Sequence, residues 1–302
     1  VDLDASLVFL EWTLGLVALG ALGARARLGL GRSRTRGATL AVVVASIPVL
    51  AVVEWSKRIE PFFPEVTHTR LAVVDGPFRV VLLSDFHAGR MHREDLAKAV
   101  LLANAQSPDL VLLAGDYISG YELVAEREAA LEGLRGLVAP RGVYAVMGNH
   151  DSEPFAEETP RRTRVADTLA GFGYRVLANE AIDVGPLWIV GLEDVQAGRT
   201  NVIAARRSVP PGAKTVYLAH DWHALPPGPL DLGLVGHTHG GQVCVPFTDL
   251  CGVSQRDRPF IRGTYPWPGG GQLFVTRGLG LAKASIRFAC RPEVSVLELG
   301  KH

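Results

Sequence analysis

Apolar positions are unevenly spread along this chain. Two runs come first: Leu7 to Ala24, 18 residues with one charge at Glu11, and Ala38 to Val53, 16 residues with none. A helix that crosses a bilayer needs roughly 20 apolar residues, about 17 at the short end. Around Val42-Val43-Val44 no polar face recurs at helical spacing, as it would on a surface helix. The two runs therefore read as a helical membrane hairpin, with Trp12 and Trp55 near its interfaces. The segment between them, Ala24 to Gly37, carries five arginines and no acid. The positive-inside rule keeps such a segment in the cytoplasm and sends both hairpin ends outward. A hairpin lying in the interface would instead leave the remainder on the cytoplasmic face.

Pro61 and Pro64 punctuate a linker and first strand, residues 59–75. After it, short apolar runs alternate with helical periodicity. Strands are expected at Phe78 to Leu83, Asp109 to Leu113 and Val143 to Val146, with helices at Glu94 to Gln106 and Glu122 to Leu137. Further strands follow at Leu187 to Val190, Thr215 to Leu218, Leu232 to Val235, Gln272 to Thr276 and Val294 to Leu299. Strands that alternate with helices and then give way to strands alone point to an α/β fold. The expected architecture is a four-layer αββα sandwich of two mixed β-sheets flanked by helices. The helical membrane hairpin, residues 1–58, precedes it, and the globular domain runs from 76 to 302.

Composition narrows the function. The apolar share of 48% owes its excess to the N-terminal runs, and 31 basic residues balance 31 acidic ones. No net field favours nucleic acid, and none is expected as a partner. Cys244, Cys251 and Cys290 are too few for a disulfide framework or zinc ribbon. Cys244 and Cys251 could pair across a short loop in an oxidising compartment, but buried free thiols are the expectation.

The candidate chemistry sits just past successive strand ends. Val80 to Leu83 runs into Ser84-Asp85-Phe86-His87, Leu110 to Leu113 into Gly115-Asp116, and Val143 to Val146 into Gly148-Asn149-His150-Asp151. Val216 to Leu218 runs into His220, and Leu232 to Val235 into Gly236-His237-Thr238-His239. Open α/β sheets place ligands at this edge, and five of the nine histidines fall there. Carboxylate, imidazole and amide oxygen suit divalent Mn, Fe, Zn or Ni. One shared carboxylate can hold two ions about 3.5–4 Å apart, the spacing of two-metal hydrolases. Singly, each motif is as well read as a turn or surface loop.

In this order and spacing, the set resembles the calcineurin-like metallophosphoesterases over about residues 75 to 299. Gly240-Gly241-Gln242, Thr276-Arg277-Gly278-Leu279-Gly280 and Arg291-Pro292-Glu293 resemble a bacterial branch of membrane-associated or exported phosphodiesterase-like proteins. More distant relatives cleave the pyrophosphate of UDP-diacylglucosamine. The resemblance implies that Asp85, His87 and His239 bind one metal and that Asp116 bridges to a second held by Asn149, His220 and His237. It also implies that His150 acts on the leaving-group oxygen, with Asp151 orienting it. Many relatives carry an Asp where this chain has Ser119.

Arg90 and Arg277 are candidate contacts to a substrate phosphate, or else partners in ordinary salt bridges. His92 and His223 read as solvated loop histidines, Glu193-Asp194 as near the site without ligating, and Arg262 to Gly271 as an irregular connection. The implied activity is metal-dependent hydrolysis of a phosphodiester or pyrophosphate in a small-molecule, lipid or envelope-derived substrate. The expected location is the bacterial inner membrane with the domain outside the cytoplasm. The rival reading is a non-catalytic, membrane-anchored module that binds a phosphorylated ligand.

Overall fold

Val80-Val81-Leu82-Leu83 lacks polar alternation because both of its faces are buried. It forms β2 (Arg79–Leu83) in a computed structural model that describes residues 32–118, 124–151, 161–248, 250–282 and 284–301. Successive strand side chains point to opposite faces. Val80 and Leu82 thus enter one apolar cluster, and Val81 and Leu83 another. β3 (Leu110–Ala114) divides the same way, with Leu110 and Leu112 on one side and Val111 and Leu113 on the other.

Two six-stranded sheets result. The first adds β1 (Glu65–Asp75), β4 (Val143–Val146), β5 (Arg175–Val176) and β12 (Glu293–Lys301), in the order β1-β12-β2-β3-β4-β5. All its neighbours are parallel except β12 and β2. The second comprises β6 (Glu180–Asp183), β7 (Trp188–Gly191), β8 (Thr215–Leu218), β9 (Leu232–Val235), β10 (Gly263–Pro266) and β11 (Gln272–Val275). Its order is β10-β11-β9-β8-β7-β6, antiparallel only at its two edge pairs. The inner core joins Val80, Leu82 and Leu112 of the first sheet to Val216, Leu234 and Phe274 of the second.

Helix α2 (Arg93–Asn104) covers the outer face of the first sheet with Leu96, Ala99, Val100 and Ala103, the i, i+3, i+4, i+7 stripe of an amphipathic helix. Leu131 of α3 (Val124–Leu131) and Val165 and Leu169 of α4 (Arg161–Gly171) join that layer. Outside the second sheet, the expected helical layer is thin. The one-turn α5 (Val202–Ala205) supplies Ala205, and Trp222, Phe260 and Trp267 fill the area a longer helix would cover. The structure adds α4, β5, β6 and β10 to the expected elements. The three strands are short, and β10 pairs with β11 within the segment expected to be irregular.

The chain divides after Ser56, and Lys57 to His302 carries both sheets. Taken by itself, α1 (Arg32–Arg58) contains the whole run Ala38 to Val53, with Pro48 inside it. Arg32, Arg34 and Arg36 begin this helix rather than closing a loop; arginine is a good helix former. Val44, Ile47, Val49 and Val52 are exposed. Among the described residues no helix is long and apolar enough to cross a membrane. The run Leu7 to Ala24 lies outside the described residues.

The expectation of free thiols fails at one pair, for Cys244 and Cys251 form a disulfide. Backbone bonds from Val245 to Leu250 and from Gly252 to Val243 pinch the loop, bringing the two Cα atoms to 4.0 Å. Cys290 is free and buried.

Candidate metal centre

Five strand ends, three from the first sheet and two from the second, converge on one edge of the sandwich. The loops leaving them turn through backbone that side chains rarely adopt: φ is positive at Asp85, His87, Asp116, His237 and His239. Such strain, about 1–3 kcal/mol per residue, persists where surrounding contacts over-determine it. The contacts are present. The amide of Asp85 donates to Gly115 O at 2.9 Å and that of His87 to Asp116 O at 3.0 Å. The amide of His237 donates to Asp85 Oδ2 at 3.1 Å, tying the two sheets together. Glycine is required where these loops touch: a Cβ on Gly148 would meet Asp116 Oδ1, and one on Gly236 would meet Ser84 Oγ.

The side chains gather into two clusters, each with its ligand atoms within 4.8 Å of one another: Asp85, His87 and His239, then Asp116, His220 and His237. In the first, His87 Nε2 and His239 Nε2 are 3.0 Å apart, and His239 Nε2 lies 3.3 Å from Asp85 Oδ1. In the second, His220 Nε2 lies 3.2 Å from Asp116 Oδ2, 3.1 Å from His237 Nδ1 and 3.2 Å from Asn149 Oδ1. Asp116 Oδ2 is also 3.6 Å from His87 Nε2, so one carboxylate oxygen faces both clusters.

This donor set fits divalent cations. His220 Nδ1 donates to Ala114 O at 2.7 Å, which turns Nε2, the nitrogen a metal would take, towards Asp116, Asn149 and His237. Two carboxylates and four imidazoles packed this closely out of water call for positive charge among them: without a metal, His220, whose pKa Asp116 raises well above the usual histidine range despite burial, supplies it. Burial lowers His87 to about 3, despite the opposing pull of Asp116, and holds His239 well below the usual histidine range. Both rings are therefore neutral, as a metal requires. Burial alone would raise Asp116, but the adjacent His220 outweighs it and keeps the carboxylate ionised. A neighbouring pair of such sites sharing a carboxylate is the arrangement of a binuclear centre.

Asp151 braces the backbone beneath the metal clusters. Its Oδ2 accepts the amides of Asp116 at 2.9 Å and Gly148 at 2.8 Å, and its Oδ1 those of Tyr117 at 2.8 Å and Ile118 at 3.2 Å. It is fully buried and clamps the two loops that carry Asp116 and Asn149. His150 lies on the cavity wall, its ring edge-on to His87 with centroids 5.2 Å apart. Its amide donates to Asp116 Oδ1 at 3.0 Å.

The two arginine candidates both have bonding partners of their own. Arg277 is partly buried and forms ion pairs with Glu65 at 2.5 Å and Glu293 at 3.4 Å, so its charge is already partnered within the fold. Arg90 bonds Ser285 Oγ at 3.2 Å, and neither arginine lines the cavity. The cavity, about 710 Å³, opens beside Asp116, Asn149, His150, His237 and His239. Sequence reasoning passed over Gln196, Asp221 and Arg256 at this place. Gln196 Nε2 is 3.2 Å from His237 Nε2 and 3.4 Å from the buried Asp221 Oδ2. Asp221 directly follows His220, a signal that was available; Arg256 lies in a segment without periodicity and offered none. His223, expected in solvent, bonds Asp221 Oδ1 through Nδ1 at 2.7 Å.

A family model described as calcineurin-like phosphoesterase matches residues 78–241. Metallophosphoesterase YkuE of Bacillus subtilis is 29% identical over 81% of this chain and 88% of its own length. Phosphodiesterase YaeI of Escherichia coli is 31% identical over 80% of this chain and 90% of its own. A Danio rerio transmembrane protein with a metallophosphoesterase domain is 30% identical over 94% of this chain and 70% of its own.

Proposed function

Because this chain belongs to the calcineurin-like phosphoesterases and is a phosphohydrolase with the residues of a binuclear metal site, we propose that it cleaves a phosphodiester or pyrophosphate bond. The observation that carries this reading is the single oxygen Asp116 Oδ2, within 3.6 Å of His87 Nε2 and 3.2 Å of His220 Nε2. Asp85, His87 and His239 would hold one divalent ion and Asn149, His220 and His237 the other, with Asp116 within reach of both. Bound there, divalent ions supply Lewis-acid activation of the phosphoryl group and of water near neutral pH. His150 faces the leaving-group oxygen from the cavity wall and gives it a proton or a hydrogen bond. Asp151 keeps Asp116 and Asn149 in register without touching substrate.

The finer assignment is to a membrane-attached phosphodiesterase acting on a lipid-linked or envelope-derived substrate at the bacterial inner membrane. Residues 1–58 serve as the attachment, 59–75 as linker, and 76–302 as the hydrolase. The uncharged run Ala38 to Val53, the name of the Danio rerio relative and the Cys244–Cys251 disulfide support this reading. Disulfides persist in oxidising compartments, outside the cytoplasm.

The test uses the purified full chain. Two equivalents of divalent metal and cleavage of bis(4-nitrophenyl) phosphate or a lipid pyrophosphate diester are expected. A metal-loaded protein inert toward both would overturn the proposal. Membrane fractionation and a periplasm-dependent reporter fused at the C-terminus test the location.

A further inference from the structure

Arg256 is the only lysine or arginine among the residues described on the wall of the cavity beside the metal clusters. It is fixed there at two points. Its Nη2 donates to Asp221 Oδ2 at 3.0 Å and its Nε to His223 Nε2 at 3.2 Å. Nη1 makes no hydrogen bond or ion pair among the described residues, and the side chain is 46% exposed. Asp221 itself is fully buried, and its Oδ2 lies 3.9 Å from His237 Nε2. One carboxylate oxygen thus stands between the guanidinium and a ring of the second metal cluster. The segment that carries Arg256 begins at Cys251, covalently tied to Cys244, so its root is pinned beside the cavity.

A guanidinium held at two nitrogens and open at the third is pre-organised for an oxyanion, with little entropy left to lose. The metal clusters serve the scissile phosphate, so this cation is placed for a charge on a neighbouring group. We propose that Arg256 forms a second anion subsite, which takes a phosphate adjacent to the one being cleaved. The preferred substrate class is then the pyrophosphate diester, with two anionic phosphorus centres, over the simple phosphodiester with one. Asp221 is the positioning residue for Arg256. The inference deepens the phosphodiester-or-pyrophosphate reading and rests on it.

The test measures binding apart from turnover. Isothermal titration of the metal-loaded full chain compares a diester of methylenebisphosphonate, with two anions and no cleavable bridge, against dimethyl phosphate, with one. The wild type should prefer the two-anion ligand, and Arg256→Gln should cut that preference at least tenfold, about 1.4 kcal/mol. Arg256→Lys should restore part of it. No wild-type preference, an undiminished preference in Arg256→Gln, or equal loss for both ligands would overturn the subsite. Failure of the wild type to hydrolyse any ester, with the binding preference intact, would instead strike the proposed hydrolysis. Metal content of each variant, measured in parallel, excludes an effect through His237.

Discussion

Asp151 Oδ2 accepts the backbone amide of Asp116 at 2.9 Å, so the carboxylate between the two clusters is held in place by another carboxylate beneath it. Burial, together with Asp116, pushes Asp151 up to about 7, while the Gly148 and Ile118 amides pull it back. Asp151→Asn can accept through one oxygen only, leaving two buried amides unpaired at about 1–3 kcal/mol each. Denaturant unfolding of the metal-free variant should show that loss, and metal titration should show weaker binding.

Replacing Asp116 removes the oxygen shared by both clusters. Asp116→Ala should therefore lose turnover and bound metal together, read by elemental analysis beside an ester assay. Retention of two full metal equivalents would contradict the bridging role.

His150→Gln should behave differently, because its ring lies at the cavity wall and outside both ligand clusters. Turnover should fall about 10²–10⁴-fold, the usual worth of a positioned acid. Metal content should stay near wild type, and a leaving group of low pKa should recover much of the rate. Loss of metal would place His150 among the ligands.

Acid should act on the metal-free protein through His87. Its pKa is about 3, against 6.5 for an ordinary histidine, because burial disfavours the cation. The unfolded state therefore binds more protons between those values, so this contribution is complete above about 6.5 and shrinks as pH falls towards 3. The slope is about 1.4 kcal/mol per pH unit. In His87→Asn that component is absent, so the stability gap between variant and wild type should change over this window and level off above it. A gap independent of pH would contradict the buried neutral ring.

The disulfide closes a loop of eight residues, worth about 2.5 kcal/mol by chain entropy. Cys251→Ser should lower the Tm by about 5–10 °C in a domain of this size. Calorimetry with and without reductant would check it, and Cys290, being free, should make no difference to the reductant effect.

The ends of β2, β3, β4, β8 and β9, and the metal-binding residue types that follow them, were legible in the sequence. Strand polarity and ligand chemistry are local properties, written in adjacent residues. β5 and β6 were not, since two residues carry no periodicity and Glu180-Ala181-Ile182-Asp183 offers no apolar run like those of β4, β8 and β9. The fate of Asp151, Arg277 and Arg256 was decided only by tertiary structure. Arg277 finds Glu65 across most of the chain, and Arg256 finds Asp221 from an irregular segment. A charged side chain takes whichever partner the packed fold brings within reach, and no local pattern records that partner.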